Sequence, residues 1–288
     1  MLLAATEYVR AATVEEAIDA LGSSSSARVL AGGQTLINVL KHRVASVELL
    51  VDISRLADLR FIDVRPDGSA TIGAASTYAE LERSAELRAV HPVIGRVAAG
   101  TVDRQVRARG TIGGNACFAD PASNYPPLLV ALDAKMEIAG PAGSRTVAAG
   151  EFFTGTWRTA VADGELLRAI TLPALDGAGV GYRSLQIAAD SWALARAAVW
   201  VRAGETVEAA RVVLGCVAAT PLRASATEAA LTGKAASADT VAVAAALAGE
   251  GLEPPSDPHA SASYRREMSS VMVKRALLDA LGLEGGGS

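Results

Sequence analysis

Two glycine pairs constrain this chain more than any other feature. The first stands in Ala31-Gly-Gly-Gln-Thr-Leu-Ile37 and the second in Thr111-Ile-Gly-Gly-Asn115. Each is followed at once by an amide side chain, Gln34 or Asn115. Adjacent glycines adopt φ > 0 without a Cβ penalty and let a ligand approach main-chain N–H groups directly. Successive N–H groups aimed at one point form an anion-binding concavity, strongest where a helix begins. One such pair is an ordinary turn. Two in one chain predict a clamp for the two phosphates of a single dinucleotide.

The rest of the composition narrows the setting. A chain of 288 residues, half of them hydrophobic, supports one large domain or two modest ones. A net charge of −4 without a Lys/Arg run argues against a nucleic-acid surface. No stretch reaches eighteen uninterrupted apolar residues, and even the apolar run 193–201 contains Arg196. Residues 1–10 include Glu7 and lack the basic and apolar regions of a signal peptide. These features predict a soluble cytoplasmic protein with no membrane span. Cys117 and Cys216 are the two cysteines, and His42, His91 and His259 lie scattered, so no metal site or disulfide is expected.

Local signals give a mixed order of elements. Thr13 followed by Glu15 and Glu16 predicts a capped helix to residue 21, and Thr77 with Glu80 predicts a second capping box. Strands are expected at 28–31, 48–53 and 59–64, with helices at 36–42, 92–99 and 126–132. Pro66-Asp-Gly68 and Gly140-Pro-Ala-Gly143 read as hairpin turns, leading into strands at 70–73 and 145–148. A strand at 165–172 ends at Pro173, and residues 173–179 form the best linker. Beyond it come strands at 181–187, 193–202 and 207–217, then helices at 224–231, 239–248 and 264–281. Residues 285–288 read as a flexible tail.

The glycine motifs, in their order with Asp120-Pro121, resemble the FAD-binding medium subunit of molybdenum hydroxylases of the carbon monoxide dehydrogenase and xanthine dehydrogenase type. Val51-Asp-Ile53, Gly164-Glu-Leu-Leu167, Tyr264-Arg-Arg-Glu-Met268 and Lys274-Arg275 extend the resemblance over nearly the whole chain. It implies an α+β fold. A two-part FAD-binding domain of the vanillyl-alcohol-oxidase-like type would occupy residues 1–175. A small antiparallel sheet with a helical bundle would occupy 176–288.

Further implications concern the cofactor and the complex. FAD would rest on Ala31, Gly32, Gly33, Gln34, Thr35 and Leu36, on Thr111, Gly113, Gly114 and Asn115, and on Asp120, Leu167 and Gln186. Relatives often carry a basic residue in the segment matching residues 182–190, where this chain has Gln186. Molybdopterin cofactor and [2Fe–2S] clusters would reside in a large and a small partner subunit, within a dimer of heterotrimers. The implied role is electron transfer, with no catalytic acid or base in this chain. Two other readings stay open: a non-redox interaction subunit with a vestigial nucleotide fold, and a stand-alone flavoprotein reductase or oxidase.

Several residues carry two readings from sequence. Thr35 and Thr111 serve either a phosphate or a helix cap, and Gln34 and Asn115 either the ligand or their own turns. Asp120 reads either as a turn starter or as a contact to a sugar hydroxyl, since phosphate would repel it. Arg104, Arg107 and Arg109 either offset phosphate charge or line a solvated face. Cys117 fits a small buried hydrophobe, and His91 a structural role. Trp192 and Trp200 share a strand face by period two and read by default as sheet packing, the alternative being that Trp192, close to Asp190, approaches a flavin.

Overall fold

The computed structural model describes residues 3–101 and 103–283, so the expected tail at 285–288 lies outside the described residues. Contacts divide the chain into two compact units. The first unit comprises Met1–Phe118, Lys135–Thr154 and Arg158–Leu172; the second comprises Ala119–Ala134, Gly155–Trp157 and Pro173–Ser288.

The first unit holds two sheets. A parallel one orders Glu7–Arg10, Leu49–Asp52 and Ala27–Leu30 side by side. Its central strand is buried at every residue, as parallel strands covered on both faces require. The helix Val14–Gly22 packs on it through Val14, Ala17, Ile18 and Leu21. Thr13 caps this helix, its hydroxyl accepting from the Glu16 N–H at 3.1 Å.

The second sheet is antiparallel, ordered Ile62–Val64, Ala70–Gly73, Leu166–Leu172, Lys135–Gly140 and Gly143–Ala148. Both hairpins expected from Pro-Asp-Gly and Gly-Pro-Ala-Gly are present in register. The strand expected at 59–64 is shorter, because Ala57–Leu59 winds into a 3-10 turn that buries Leu59. The Thr77 capping box is complete: the Thr77 N–H donates to Glu80 Oε2 at 2.8 Å, and the Glu80 N–H donates to Thr77 Oγ1 at 3.3 Å.

His91 stands fully buried ahead of the helix Pro92–Ala99. Burial opposes the imidazolium and lowers its pKa below the ordinary 6.5. The unfolded chain therefore takes up the proton first as pH falls. Stability from this site is complete above the ordinary value and declines below it, toward the lowered folded-state pKa. Thermal unfolding followed between pH 7 and pH 5 is expected to show a falling midpoint. That slope should flatten in His91→Gln; an unchanged slope would show that the buried imidazole is not its source.

The second unit is built on an antiparallel sheet ordered Gly179–Gln186, Ala193–Ala203, Val207–Gly215 and Leu222–Arg223. The helices Ser225–Leu231, Ala238–Ala246 and Ala262–Leu281 follow, as expected. Val199, Val201, Val212 and Leu214 of the sheet meet Met272, Val273, Ala276 and Leu277 of the last helix in one core. The helix Tyr125–Ala131 is buried at every residue, consistent with its Tyr-Pro-Pro-Leu-Leu-Val-Ala sequence. Among the described residues no helix is long and apolar enough to cross a membrane.

Candidate functional site

The first glycine pair leaves the strand Ala27–Leu30 and turns before the helix Leu36–Lys41. The two glycines are needed for different reasons. Gly33 sits at φ +71°, in the left-handed region. Gly32 packs so closely that a Cβ would stand 2.0 Å from the Arg109 carbonyl oxygen. The N–H groups of Gly32, Gly33, Gln34 and Thr35 find no acceptor among the described residues. Four adjacent open donors are costly unless water or a ligand accepts from them. Residues 31–36 are all half-buried, a setting that strengthens such donors without closing them off. Thr35 makes no side-chain cap bond to its helix, so its hydroxyl is also available. Gln34 turns back on the loop, its Nε2 donating to Gly32 O at 3.2 Å.

The second glycine pair is not a turn. Gly113 and Gly114 lie inside the helix Ile112–Phe118. The physical reason is packing: a Cβ on Gly113 would fall 2.5 Å from both the Cβ and the carbonyl oxygen of Ala74. The main-chain donors here are already engaged. Ile112 N–H bonds Ser76 O at 3.1 Å, Gly113 N–H bonds Ala74 O at 2.9 Å, and Asn115 N–H bonds Thr111 O at 3.0 Å. Thr111 behaves as a cap, its Oγ1 accepting from the Gly114 N–H at 3.0 Å. The two segments therefore differ in kind: the first exposes backbone, while the second presents side chains beside an exposed Gly114.

These two segments meet through the helix Arg104–Arg109, which Asp103 caps through the Gln105 N–H at 2.7 Å. The three arginines separate. Arg109 reaches the first loop, with Nε 3.5 Å from Gly32 O. Arg107 pairs with Glu82 at 3.1 Å. Arg104, with Arg83 and Arg107, lines a cavity of about 500 Å³. Leu167 is buried in the strand Leu166–Leu172, and its backbone approaches the Cys117 thiol. Burial pushes that half-buried thiol up to about 12, which disfavours its thiolate.

Asp120 and Gln186 belong to the second unit. Asp120 uses one oxygen to accept from the Ala122 N–H at 2.8 Å and the other from the Trp157 indole N–H at 2.9 Å. Gln186 is exposed at the end of its strand and donates to Ser191 O at 2.6 Å. Trp200 packs in the sheet, with the Arg211 guanidinium 3.9 Å from its ring centroid. Trp192 precedes its strand rather than sharing a face of it, and is 63% exposed. Two residues here were not singled out from sequence as site residues, Trp157 and Arg196. Trp157 gave no local signal; Arg196 did, as the lone charge in an apolar run.

Open main-chain donors on a glycine turn, next to a basic helix, give the first unit the chemistry to accept an anionic group. The comparisons with known proteins agree. Residues 4–175 match the FAD binding domain in molybdopterin dehydrogenase, and residues 181–280 match the CO dehydrogenase flavoprotein C-terminal domain. The carbon monoxide dehydrogenase medium chain of Hydrogenophaga pseudoflava is 38% identical over 275 residues, spanning 94% of this chain and 95% of that one. The glyceraldehyde dehydrogenase medium chain of Sulfolobus acidocaldarius is 36% identical, spanning 93% and 96%. A solved structure of carbon monoxide dehydrogenase from Hydrogenophaga pseudoflava superposes with a TM-score of 0.94 at 39% identity, over 98% of this chain and 99% of that one. The chain belongs to the FAD-binding medium subunits of the molybdopterin dehydrogenases.

Proposed function

We propose that this chain holds FAD by its pyrophosphate on the first glycine loop and relays electrons through it within a multisubunit molybdenum hydroxylase. The observation that carries the reading is the row of open N–H groups from Gly32 to Thr35, in a chain of the flavin-subunit family. Gly32 lets the loop pack against the Arg109 backbone and Gly33 takes the left-handed turn, so the N–H groups of residues 32–35 stay open to a diphosphate and the residues present fit the cofactor. When bound, the flavin ring supplies the capacity to accept electrons and to release them to another carrier.

The chain's own work is binding and orientation. Ala31, Gly32, Gly33, Gln34, Thr35 and Leu36 form the phosphate-side contact. Thr111, Gly114 and Asn115 supply the second contact through side chains and the exposed glycine, and Gly113 keeps their helix close on Ala74. Asp120 meets a sugar hydroxyl, and Leu167 and Gln186 complete the set. In that role the bound flavin would take electrons from [2Fe–2S] clusters of a small partner subunit and pass them to an external acceptor, and a large molybdopterin-binding subunit would carry the substrate chemistry. Residues 1–175 form a two-part domain of the vanillyl-alcohol-oxidase-like type and 176–288 the C-terminal domain. The complex is a cytoplasmic dimer of heterotrimers.

Flavin extraction is the direct test. The purified full-length chain should be yellow, and after flavin removal it should rebind one FAD per copy. A colourless chain that stays colourless after incubation with FAD would leave only an interaction role. Turnover of a small substrate without partners would instead favour a stand-alone flavoenzyme.

A further inference from the structure

The segment that carries Asp120 is held by an unusual set of restraints. Ala119 at φ +48°, Trp157 at +57° and Cys216 at +70° are non-glycine residues in left-handed backbone. All three belong to one bonded arrangement: Trp157 N–H donates to Ala119 O at 3.0 Å, and Cys216 N–H donates to Pro121 O at 2.9 Å. Such conformations persist only where the surroundings over-determine them.

Arg196 supplies much of that determination. It is 2% exposed, in the middle of the strand Ala193–Ala203. Its Nη1 donates to Ala122 O at 2.7 Å and to Ser123 O at 2.5 Å, and its Nη2 donates to Asn124 Oδ1 at 2.7 Å. Tyr182 lies beneath the guanidinium at 5.8 Å and donates its own hydroxyl to Asn124 O at 3.0 Å. No carboxylate lies within ion-pair distance of Arg196 among the described residues. A buried cation without a counter-ion is costly, and an apolar residue would fill a buried strand at less cost. What the guanidinium offers in return is a planar fork that fixes three consecutive residues at once.

We infer that Arg196 is a positioning residue for Asp120. By clamping Ala122, Ser123 and Asn124 it holds the strained turn in which Asp120 is locked between the Ala122 N–H and the Trp157 indole. The carboxylate is then presented in one orientation to a neutral hydroxyl of the cofactor. This rests on the reading of Asp120 as a cofactor contact.

A double-mutant cycle on FAD affinity of the deflavinated full-length chain tests it. Arg196→Lys keeps the charge but loses the fork, and should weaken FAD about tenfold in the wild-type background, the equivalent of one well-placed polar contact. In the Asp120→Asn background the same change should cost less than about twofold, because the oriented group is already gone. The unfolding midpoint of the flavin-free chain should fall equally in both backgrounds, which separates orientation from stability. An equal loss of affinity in both backgrounds, or none in either, overturns the positioning role while Asp120 keeps its own. An Asp120→Asn variant with unchanged FAD affinity removes the Asp120 reading and the positioning role with it. Should Arg196→Lys not fold, Asn124→Ala removes one acceptor of the fork and carries the same cycle, with the same outcomes deciding.

Discussion

Gly33→Val is expected to strip the chain of flavin while leaving its fold largely intact. Gly33 adopts φ +71°, where a β-branched residue is a genuine outlier. The nearest neighbours of an added Cβ are Ile37 Cγ1 at 3.2 Å and Leu30 Cδ1 at 3.3 Å, side-chain carbons that need give by only a few tenths of an ångström. The cost therefore falls on the backbone, at about 1–2 kcal/mol for the left-handed region and more for valine. The turn relieves it by rotating away from positive φ, and the N–H groups of Gln34 and Thr35 turn with it. A diphosphate that needs those donors together would lose at least about tenfold in affinity for every 1.4 kcal/mol forfeited. The flavin-to-protein absorbance ratio of the purified chain measures this, with the unfolding midpoint as a check on the fold. Gly33→Asn, which tolerates this φ, should keep most of its flavin. Gly114→Val should cost less than Gly33→Val, since the Gly114 N–H is already bonded and the added Cβ meets only Thr111 Oγ1 at 2.8 Å. Full flavin content in Gly33→Val would sink the backbone cradle.

The contrast between the two glycine pairs marks what the sequence could disclose. Capping boxes, hairpin turns and the first glycine loop depend on neighbours within a few residues, and they were legible. The second pair was read as a turn because its real reason is remote: Gly113 is small so that its helix can lie on Ala74. The strand Glu7–Arg10 escaped for a similar reason. Its Glu-Tyr-Val-Arg sequence has no strand period, and it becomes a strand by parallel pairing with Leu49–Asp52. The helix Arg104–Arg109 carried a readable Asp103 cap, but its three arginines drew attention as charge rather than as a helix. Residues 119–134 look continuous with the chain before them, yet their contacts lie in the second unit. The membership in a flavin-subunit family was legible because it rests on the order of motifs rather than on any one contact. The restraint on Asp120 was not, because Arg196 bonds its turn from 74 residues further along the chain.

The largest stability effect is expected from Gly181→Val, in the sheet of the second unit. The strand Gly179–Gln186 carries glycine at alternate positions, 179 and 181, on one face. An added Cβ at Gly179 would stand 1.7 Å from the Ala280 carbonyl oxygen, and one at Gly181 would stand 1.9 Å from that of Ala276. The spacings match: two strand residues advance about 6.6 Å and four helix residues about 6 Å, so one glycine face meets one helix face in register. The obstructing atoms are helix backbone, which cannot swing aside as a side-chain tip does. Valine would push the helix Ala262–Leu281 off the sheet and loosen Met272, Val273, Ala276 and Leu277 from the shared core. Overpacking alone costs about 1–3 kcal/mol, and the lost burial of a single large side chain adds about 2 kcal/mol or more. A loss of roughly 3–5 kcal/mol would lower the unfolding midpoint by about 6–20 °C for a chain of this size. Gly181→Ala should fall between wild type and valine. Gly204→Val is the matched control, because an added Cβ there meets nothing within 4 Å. Circular dichroism through thermal unfolding reads all three, and a Gly181→Val midpoint equal to that of Gly204→Val would mean the helix does not rest on these glycines.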